Sequence, residues 1–592
     1  MNCPSRTDAD DGTNGWNQNP PALAADLTTR NDMDHIANTR QQRDHKLDLG
    51  NASGVDVIPH EQQGDTDWEK TISAGDGKGG AQGSKETDVA VLRNLGDGVG
   101  LGGGAGGGTP SGLGVWFRRK ARRVVQVLKR YLKFVGPGFL VAVAYIDPGN
   151  YATDVAAGAT YRYRLLFMVL LSNIFAIFLQ SLCVRLGSVT GMNLAENCKA
   201  HLPWWLNYTL YFFAECAIIA TDIAEVIGTA IALKLLLNVP LVAGCAISIV
   251  DVLIILIFYR PTGSMRGVRI FEVFVMLLVI GVVVCFCFQL SLITNTTAGE
   301  VFKGYLPSSA LVESKGLYQA CGILGATVMP HSLYLGSGII QSRLHDFDTK
   351  AGNIPSSSSI NSFSSISSDS FNKYRPSISA IRSCMSYSIA ELAISLFTFA
   401  LFVNSAILIV AGSSLYNNES AESADLFGIH ALLSDNLAPV AGTIFALALL
   451  LSGTSAGIVC TIAGQMVSEG QLSWTVAPWV RRLITRSISI TPSIIIAGAV
   501  GQHGLSAALE GSQVALSVIL PIVSAPLIYF TCRNKYMTVR DVDVGADGEP
   551  VQAEGGVKMR NPWPVAVLAG LIWGLVVVMN VALLVLVGLG KG

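Results

Sequence analysis

The chain has 592 residues, of which 50% are hydrophobic and only 14% charged, with a mean hydropathy of +0.46. A soluble chain of this size would carry more charge, so the composition points to a membrane protein that crosses the bilayer many times. A net charge of -1 leaves no basic excess for a phosphate-binding surface and argues against nucleic acid as a partner.

Residues 1–115 differ from the rest, with polar and glycine-rich stretches such as "GDGVGLGGGAGGGTPSG". They bury too little apolar surface to offset chain entropy and read as a disordered cytoplasmic tail. No cationic start followed by an apolar core marks a secretory signal, so the first membrane helix is the expected targeting signal. Residues 116–133 carry "FRRKARRVVQVLKRYLK", a basic segment that places the N-terminus in the cytoplasm.

Long apolar runs then predict eleven helices, at about 134–158, 164–187, 207–235, 239–258, 268–293, 316–341, 385–411, 437–467, 487–501, 512–531 and 563–588. The ninth is short for a full span. Alternation puts Arg260, Arg266 and Arg269, then Arg481, Arg482 and Arg486, then Arg533, Lys535 and Arg540 in cytoplasmic loops. The loops expected outside are poor in Lys and Arg, and they hold two glycosylation sequons, at Asn295 and Asn418. A serine-rich loop at 346–380 reads as a flexible cytoplasmic linker open to phosphorylation, and 532–561 as a second cytoplasmic loop. The domain reading is a first five-helix repeat over 134–293, a second over 316–531, and an eleventh helix over 562–588. The 11 cysteines show no CxxC spacing and lie mostly in apolar runs, which excludes a disulfide framework.

Two of the helices are interrupted. The first holds Asp147-Pro148-Gly149-Asn150 and the sixth holds "GATVMPH", Gly325 to His331. Pro and Gly break helices, and a carboxylate in hydrocarbon is costly unless it faces a cavity. Two interrupted helices five apart are the pattern of an inverted-repeat transporter with its site at the membrane midplane. The breaks offer the Asp147 carboxylate, the Asn150 amide oxygen, the Ala326 carbonyl freed by Pro330, and the Met329 thioether. Hard oxygens with one soft sulfur favour Mn²⁺, Fe²⁺, Co²⁺ or Cd²⁺ over Mg²⁺ or Ca²⁺. Asp222 and Glu225, three apart on helix three, with Arg486 at the start of helix nine and His331 beside Met329, are titratable or charged groups for a proton route. A structural ion-pair network and a satisfied buried histidine are the alternative readings of these four. No nucleophile–base set or multi-histidine cluster suggests an enzyme.

"DPGN" and "MPH" resemble the signature of the NRAMP family of divalent-metal transporters. So do "TDIAEVIG" (Thr221 to Gly228), "AGQMVSEG" (Ala463 to Gly470), "LITRSISITP" (Leu483 to Pro492) and "GSQVALSVILP" (Gly511 to Pro521), in order over residues 134 to 531. "SGTSAG" at Ser452 departs from the family's "SGQS". The resemblance is to eukaryotic members, fungal ones among the options. It implies an all-α polytopic protein of the LeuT-type fold, with two inverted five-helix repeats, broken helices one and six, and an eleventh helix. It further implies proton-coupled import of Mn²⁺, Fe²⁺ or related ions toward the cytoplasm, with no resident cofactor. Asp147, Asn150, Ala326 and Met329 become metal ligands, joined by Gln513 when the site closes. Asp222, Glu225, Arg486 and His331 become the proton pathway. A monomer in the plasma membrane or an endosomal or vacuolar membrane is expected. The alternatives are a transporter of the same fold with an organic substrate and a metal-binding membrane sensor.

Overall fold

The computed structural model describes residues 136–248, 265–353, 374–416, 426–473, 478–499, 501–539, 542–544, 550–552 and 556–589. The N-terminal tail, the basic segment, most of the serine-rich loop, the end of helix four and the Asn418 sequon lie outside them.

The first membrane segment is two helices, α1 (Pro137–Val143) and α2 (Pro148–Tyr161). Pro148 sits at the start of α2, where its missing N–H costs no hydrogen bond, and Asp147 caps that helix. Then come α3 (Leu166–Thr190), a short α4 (Leu194–His201) opened by a reciprocal Asn193–Glu196 capping box, and α5 (Trp204–Leu237). Residues 241–248 are the described part of α6, and α7 (Met265–Ser291) follows. After α8 (Ala298–Gly304), the sixth membrane segment is again two helices, α9 (Ser314–Thr327) and α10 (Pro330–Lys350). The seventh runs from α11 (Ile378–Ser395) through a π-turn at Leu396–Ala400 into α12 (Leu401–Ser414). The rest are α13 (Leu426–Asn436), α14 (Pro439–Leu472), α15 (Pro478–Ala499), α16 (Gly501–Thr531) and α17 (Trp563–Gly588).

Among the described residues, eight helices are long and apolar enough to cross a membrane, counting each of the two-part sixth and seventh segments once, and the first broken helix and α15 pack with them. Packing shows how they are paired. The half before the first break, α1, meets the half after the second, α10, and α2 meets α9. Likewise α2 lies along α12 of the seventh segment, while α10 lies along α3 of the second. Exchanging segments one and two for six and seven reproduces the contacts, as expected of inverted repeats. The chain is thus an all-α polytopic membrane protein of the LeuT type, with the eleventh helix, α17, packed on α16 and α9.

Close approach at these pairs relies on missing side chains. A Cβ at Gly158 of α2 would come within 2.6 Å of the Leu408 carbonyl oxygen of α12, and one at Gly187 of α3 would fall on the Ser337 carbonyl of α10. Small residues at helix crossings let backbones touch where lipid supplies no hydrophobic drive for association.

Several boundaries differ from the sequence reading. The ninth helix is a full 22 residues, from Pro478, so Arg486 lies two turns inside it and not at its start. The sixth segment continues to Lys350, so the serine-rich connection begins at 351. Its two ends are tied by buried Asp348, which accepts bonds from Asn353 Nδ2 (2.9 Å), Tyr374 Oη (2.6 Å), Ser377 N (3.0 Å) and Ser377 Oγ (2.5 Å). The loop after segment ten holds two short antiparallel ladders, β1 (Thr538–Val539) with β4 (Val557–Lys558) and β2 (Val542–Val544) with β3 (Pro550–Gln552). Sequon residue Asn295 is exposed between α7 and α8. The ten described cysteines are free.

Candidate metal site between the broken helices

Each break frees backbone carbonyls, and a buried carbonyl left without a donor costs about 1–3 kcal/mol. At the first break the neighbouring helices supply the donors. Asn404 Nδ2 of α12 donates to the Tyr145 carbonyl (3.2 Å), and Ser452 Oγ of α14 donates to the Ile146 carbonyl (2.8 Å). Asn150 Nδ2 also reaches the Tyr145 carbonyl, at 3.0 Å. A π-turn at Leu396–Ala400 runs directly into α12, the helix that carries Asn404, and such turns often lie near functional sites.

Asp147 Oδ1 accepts from the Asn150 backbone N (3.1 Å) and from Asn150 Nδ2 (3.0 Å). These bonds hold both side chains and consume one oxygen. Asp147 Oδ2 and Asn150 Oδ1 are buried with no hydrogen-bond partner, as are Thr327 Oγ1 and Gln513 Oε1. Buried oxygens are nearly always bonded, so four orphans around two helix breaks mark a place for a guest that accepts oxygen lone pairs.

The two breaks face each other. Tyr145 Oη lies 2.9 Å from Ser332 Oγ, and Gln180 Nε2 of α3 donates to Tyr145 Oη (2.8 Å) and to the Ser332 carbonyl (2.9 Å). Ser332 Oγ also donates to the Met329 carbonyl (2.7 Å), which fixes the first turn of α10. Pro330 has no N–H, so the Ala326 carbonyl lacks its helical donor. Gln513 of α16 joins both breaks: a Cβ at Gly149 would collide with its amide, and one at Gly325 would collide with its backbone carbonyl. Asp147, Asn150, Ala326, Met329 and Gln513 are each 0% exposed.

Asp222 and Glu225 of α5 meet Arg486 of α15 away from water. Arg486 Nη1 lies 2.8 Å from Asp222 Oδ1, and Nη2 lies 3.5 Å from Glu225 Oε2 and 2.8 Å from the Gly457 carbonyl of α14. The Cys460 thiol of α14 lies in the same cluster, its sulfur and the carboxylate oxygens within 4.8 Å of one another. His331 Nδ1 lies 3.3 Å from the hydroxyl of Thr221, the residue before Asp222. The second break is thus bonded to α5 at the residue that precedes the ion cluster in sequence.

Sequence reasoning missed Tyr145, Gln180, Ser332, Asn404, Ser452 and Cys460. Gln180, Asn404, Ser452 and Cys460 are single polar residues in apolar runs with no break beside them, and Tyr145 and Ser332 flank the breaks but carry neither charge nor a metal-ligand signature. It missed a latch as well. Glu391 Oε1 of α11 accepts from the Gly136 N (2.7 Å) and Gly138 N (3.1 Å) at the start of α1, and its Oε2 pairs with Arg343 Nη1 of α10 at 2.7 Å. A carboxylate on a helix N-terminus is favourable by charge and by hydrogen bonding.

Comparison with known proteins bears on what this arrangement is. Residues 138–543 match the family described as natural resistance-associated macrophage protein-like. The chain is 51% identical over 501 residues to the manganese transporter SMF1 of Saccharomyces cerevisiae, covering 79% of this chain and 87% of that one. It is 50% identical over 480 residues to the manganese transporter pdt1 of Schizosaccharomyces pombe, covering 81% and 90%. It is 54% identical over 422 residues to the iron transporter SMF3 of Saccharomyces cerevisiae, covering 71% and 86%. A crystal structure of the Eremococcus coleocola manganese transporter superposes with a TM-score of 0.62 at 30% identity, covering 77% of this chain and 86% of that one. The family match takes in both helix breaks and the helices that brace them, and by it this chain belongs to the natural resistance-associated macrophage protein (Nramp) family, as a multi-pass membrane transporter and not an enzyme.

Proposed function

We propose that this chain is a proton-coupled symporter that imports divalent transition metals, Mn²⁺ and Fe²⁺ foremost, toward the cytoplasm by alternating access. Divalent-metal transport is the activity that its relatives' names carry. The observation that carries the reading here is the set of orphan oxygens at the breaks, on Asp147, Asn150 and Gln513, beside a buried thioether on Met329.

The chemistry follows from that set. A dication takes the free lone pairs, and the single carboxylate neutralises half its charge, which suits an ion that must be released again. The thioether of Met329 and the carbonyl of Ala326 add a soft and a neutral ligand, which favours first-row transition metals over Ca²⁺ and Mg²⁺. Asp147 must be ionised to ligate, so metal binding releases any proton it holds. His331 and the Thr221 hydroxyl lead from there to Asp222, Glu225 and Arg486, which we assign to the proton pathway. The N-terminus is assigned to the cytoplasm, and the working unit to a monomer.

The test is uptake by proteoliposomes carrying the full chain. Asp147→Ala removes the anionic ligand and should abolish Mn²⁺ uptake; uptake at the wild-type rate would overturn the reading. Tracer Mn²⁺ competed by Fe²⁺ and Cd²⁺ but not by amino acids is the expected selectivity. Mn²⁺ entry should acidify the vesicle lumen, and metal flux with no proton flux would remove the coupling.

A further inference from the structure

Among the described residues, six acidic side chains are at most 2% exposed: Asp147, Asp154, Asp222, Glu225, Asp348 and Glu391. Five have partners. Asp147 takes two bonds from Asn150, Asp222 and Glu225 pair with Arg486, Asp348 accepts four bonds, and Glu391 takes two amides and Arg343. Asp154 has none. Neither Oδ1 nor Oδ2 has a hydrogen-bond partner, and no basic group among the described residues forms an ion pair with it. An unpaired carboxylate in such a place is costly enough that it must hold either a proton or a cation.

Its position says which. Asp154 stands on α2 at i+7 from Asp147 and i+4 from Asn150, so the three share one helix face. Orphan buried oxygens run along that face: Asp147 Oδ2, Asn150 Oδ1, then both oxygens of Asp154. Seven residues of helix rise about 10.5 Å, so Asp154 lies about two turns beyond Asp147, toward the end of α2 away from the break. Asn150 lies between them on that face, three residues after Asp147 and four before Asp154. A dication moving along the face would meet the Asp154 carboxylate first, then the Asn150 amide oxygen, then Asp147, each offering an oxygen in place of a lost water. That matters because shedding hydration is the costly part of bringing such an ion into a low-dielectric interior.

We propose that Asp154 forms a second cation station on α2, which loads a divalent metal toward Asp147 through the Asn150 amide oxygen. This rests on the transport reading above, and it adds a carboxylate that the ligand set at the breaks does not include. Ordering a metal at Asp154 before it reaches Asp147 raises its local concentration at the site. The carboxylate then acts chiefly on apparent affinity and much less on the rate of the closed-to-open step.

Two measurements test it, both on the full chain. In proteoliposomes, Asp154→Asn and Asp154→Ser should each raise KM for Mn²⁺ about tenfold while kcat changes less than about twofold, and Asp154→Glu should restore KM to near the wild-type value. In detergent, Mn²⁺ binding is followed by loss of the free-ion electron paramagnetic resonance signal. Asp147→Ala should retain weak binding that the added Asp154→Asn removes. The proposal is overturned if both neutral variants keep the wild-type KM, or if the residual binding survives in the double variant. It is also overturned if KM is unchanged while metal-driven proton uptake is lost, which would make Asp154 a proton carrier. Loss of a monodisperse fold in both neutral variants counts against it too, because it would assign the carboxylate to folding. Failure of the transport reading looks different: Asp147→Ala alone would then leave uptake intact.

Discussion

At the scale of single residues, the site is a set of polar groups held by specific side-chain bonds from neighbouring helices. Ser452 Oγ is the hydroxyl that reaches the Ile146 carbonyl, and Ser452→Ala would leave that carbonyl buried without it. The expected cost is about 1–3 kcal/mol, seen as a lower unfolding temperature in detergent, and an unchanged temperature would mean another donor steps in. Arg486 is a stronger case, because it is 2% exposed and balances two carboxylates. Arg486→Ala should destabilise by about 3–5 kcal/mol by leaving uncompensated buried charge, and a variant as stable as the parent would show that Asp222 and Glu225 hold protons. Asp147, Asn150 and Met329 were legible in the sequence because a charge, a thioether and a helix break coincide inside apolar runs. Asn404, Ser452 and Gln180 were not, because a lone polar side chain in a membrane helix looks the same whether it caps a distant carbonyl or bonds its own helix.

At the scale of elements, the broken helices were legible and the boundaries less so. The ninth helix reads short because Arg481, Arg482, Arg486 and several Ser and Thr residues dilute its hydropathy, yet it runs 22 residues. Packing against α5 and α16 holds it, which a hydropathy window does not sense. The two β-ladders escaped notice because strands of two or three residues carry no periodicity to read. The close crossings make a sharp forecast. Gly187→Ala would drive a methyl into the Ser337 carbonyl of α10 and should cost about 1–3 kcal/mol by overpacking, measurable as a lower unfolding temperature. Gly498→Ala, where an added Cβ meets nothing within 4 Å, is the control expected to leave that temperature unchanged.

At the scale of the whole molecule, all five candidate ligands are 0% exposed, so the site is closed to both sides in this state. Transport needs one side to open, and the latch on α1 is where the structure resists. Glu391→Gln keeps the shape but weakens charge-assisted bonds to the Gly136 and Gly138 amides and to Arg343. Amide exchange over residues 136–143 should then quicken roughly tenfold, read by hydrogen–deuterium mass spectrometry, and unchanged exchange would show that α1 is held elsewhere. Composition, hydropathy and two helix breaks by themselves determined that this is a membrane protein of inverted repeats with a polar midpoint, because burying a charge and breaking a helix in hydrocarbon are penalised locally, at the residue that does it. Which helices brace the breaks, that Gln513 closes between them and Glu391 locks α1, and that Asp154 stays unpartnered were decided only in three dimensions. A hydrogen bond or its absence depends on which two surfaces meet, and partners such as Ile146 and Ser452 stand 306 residues apart.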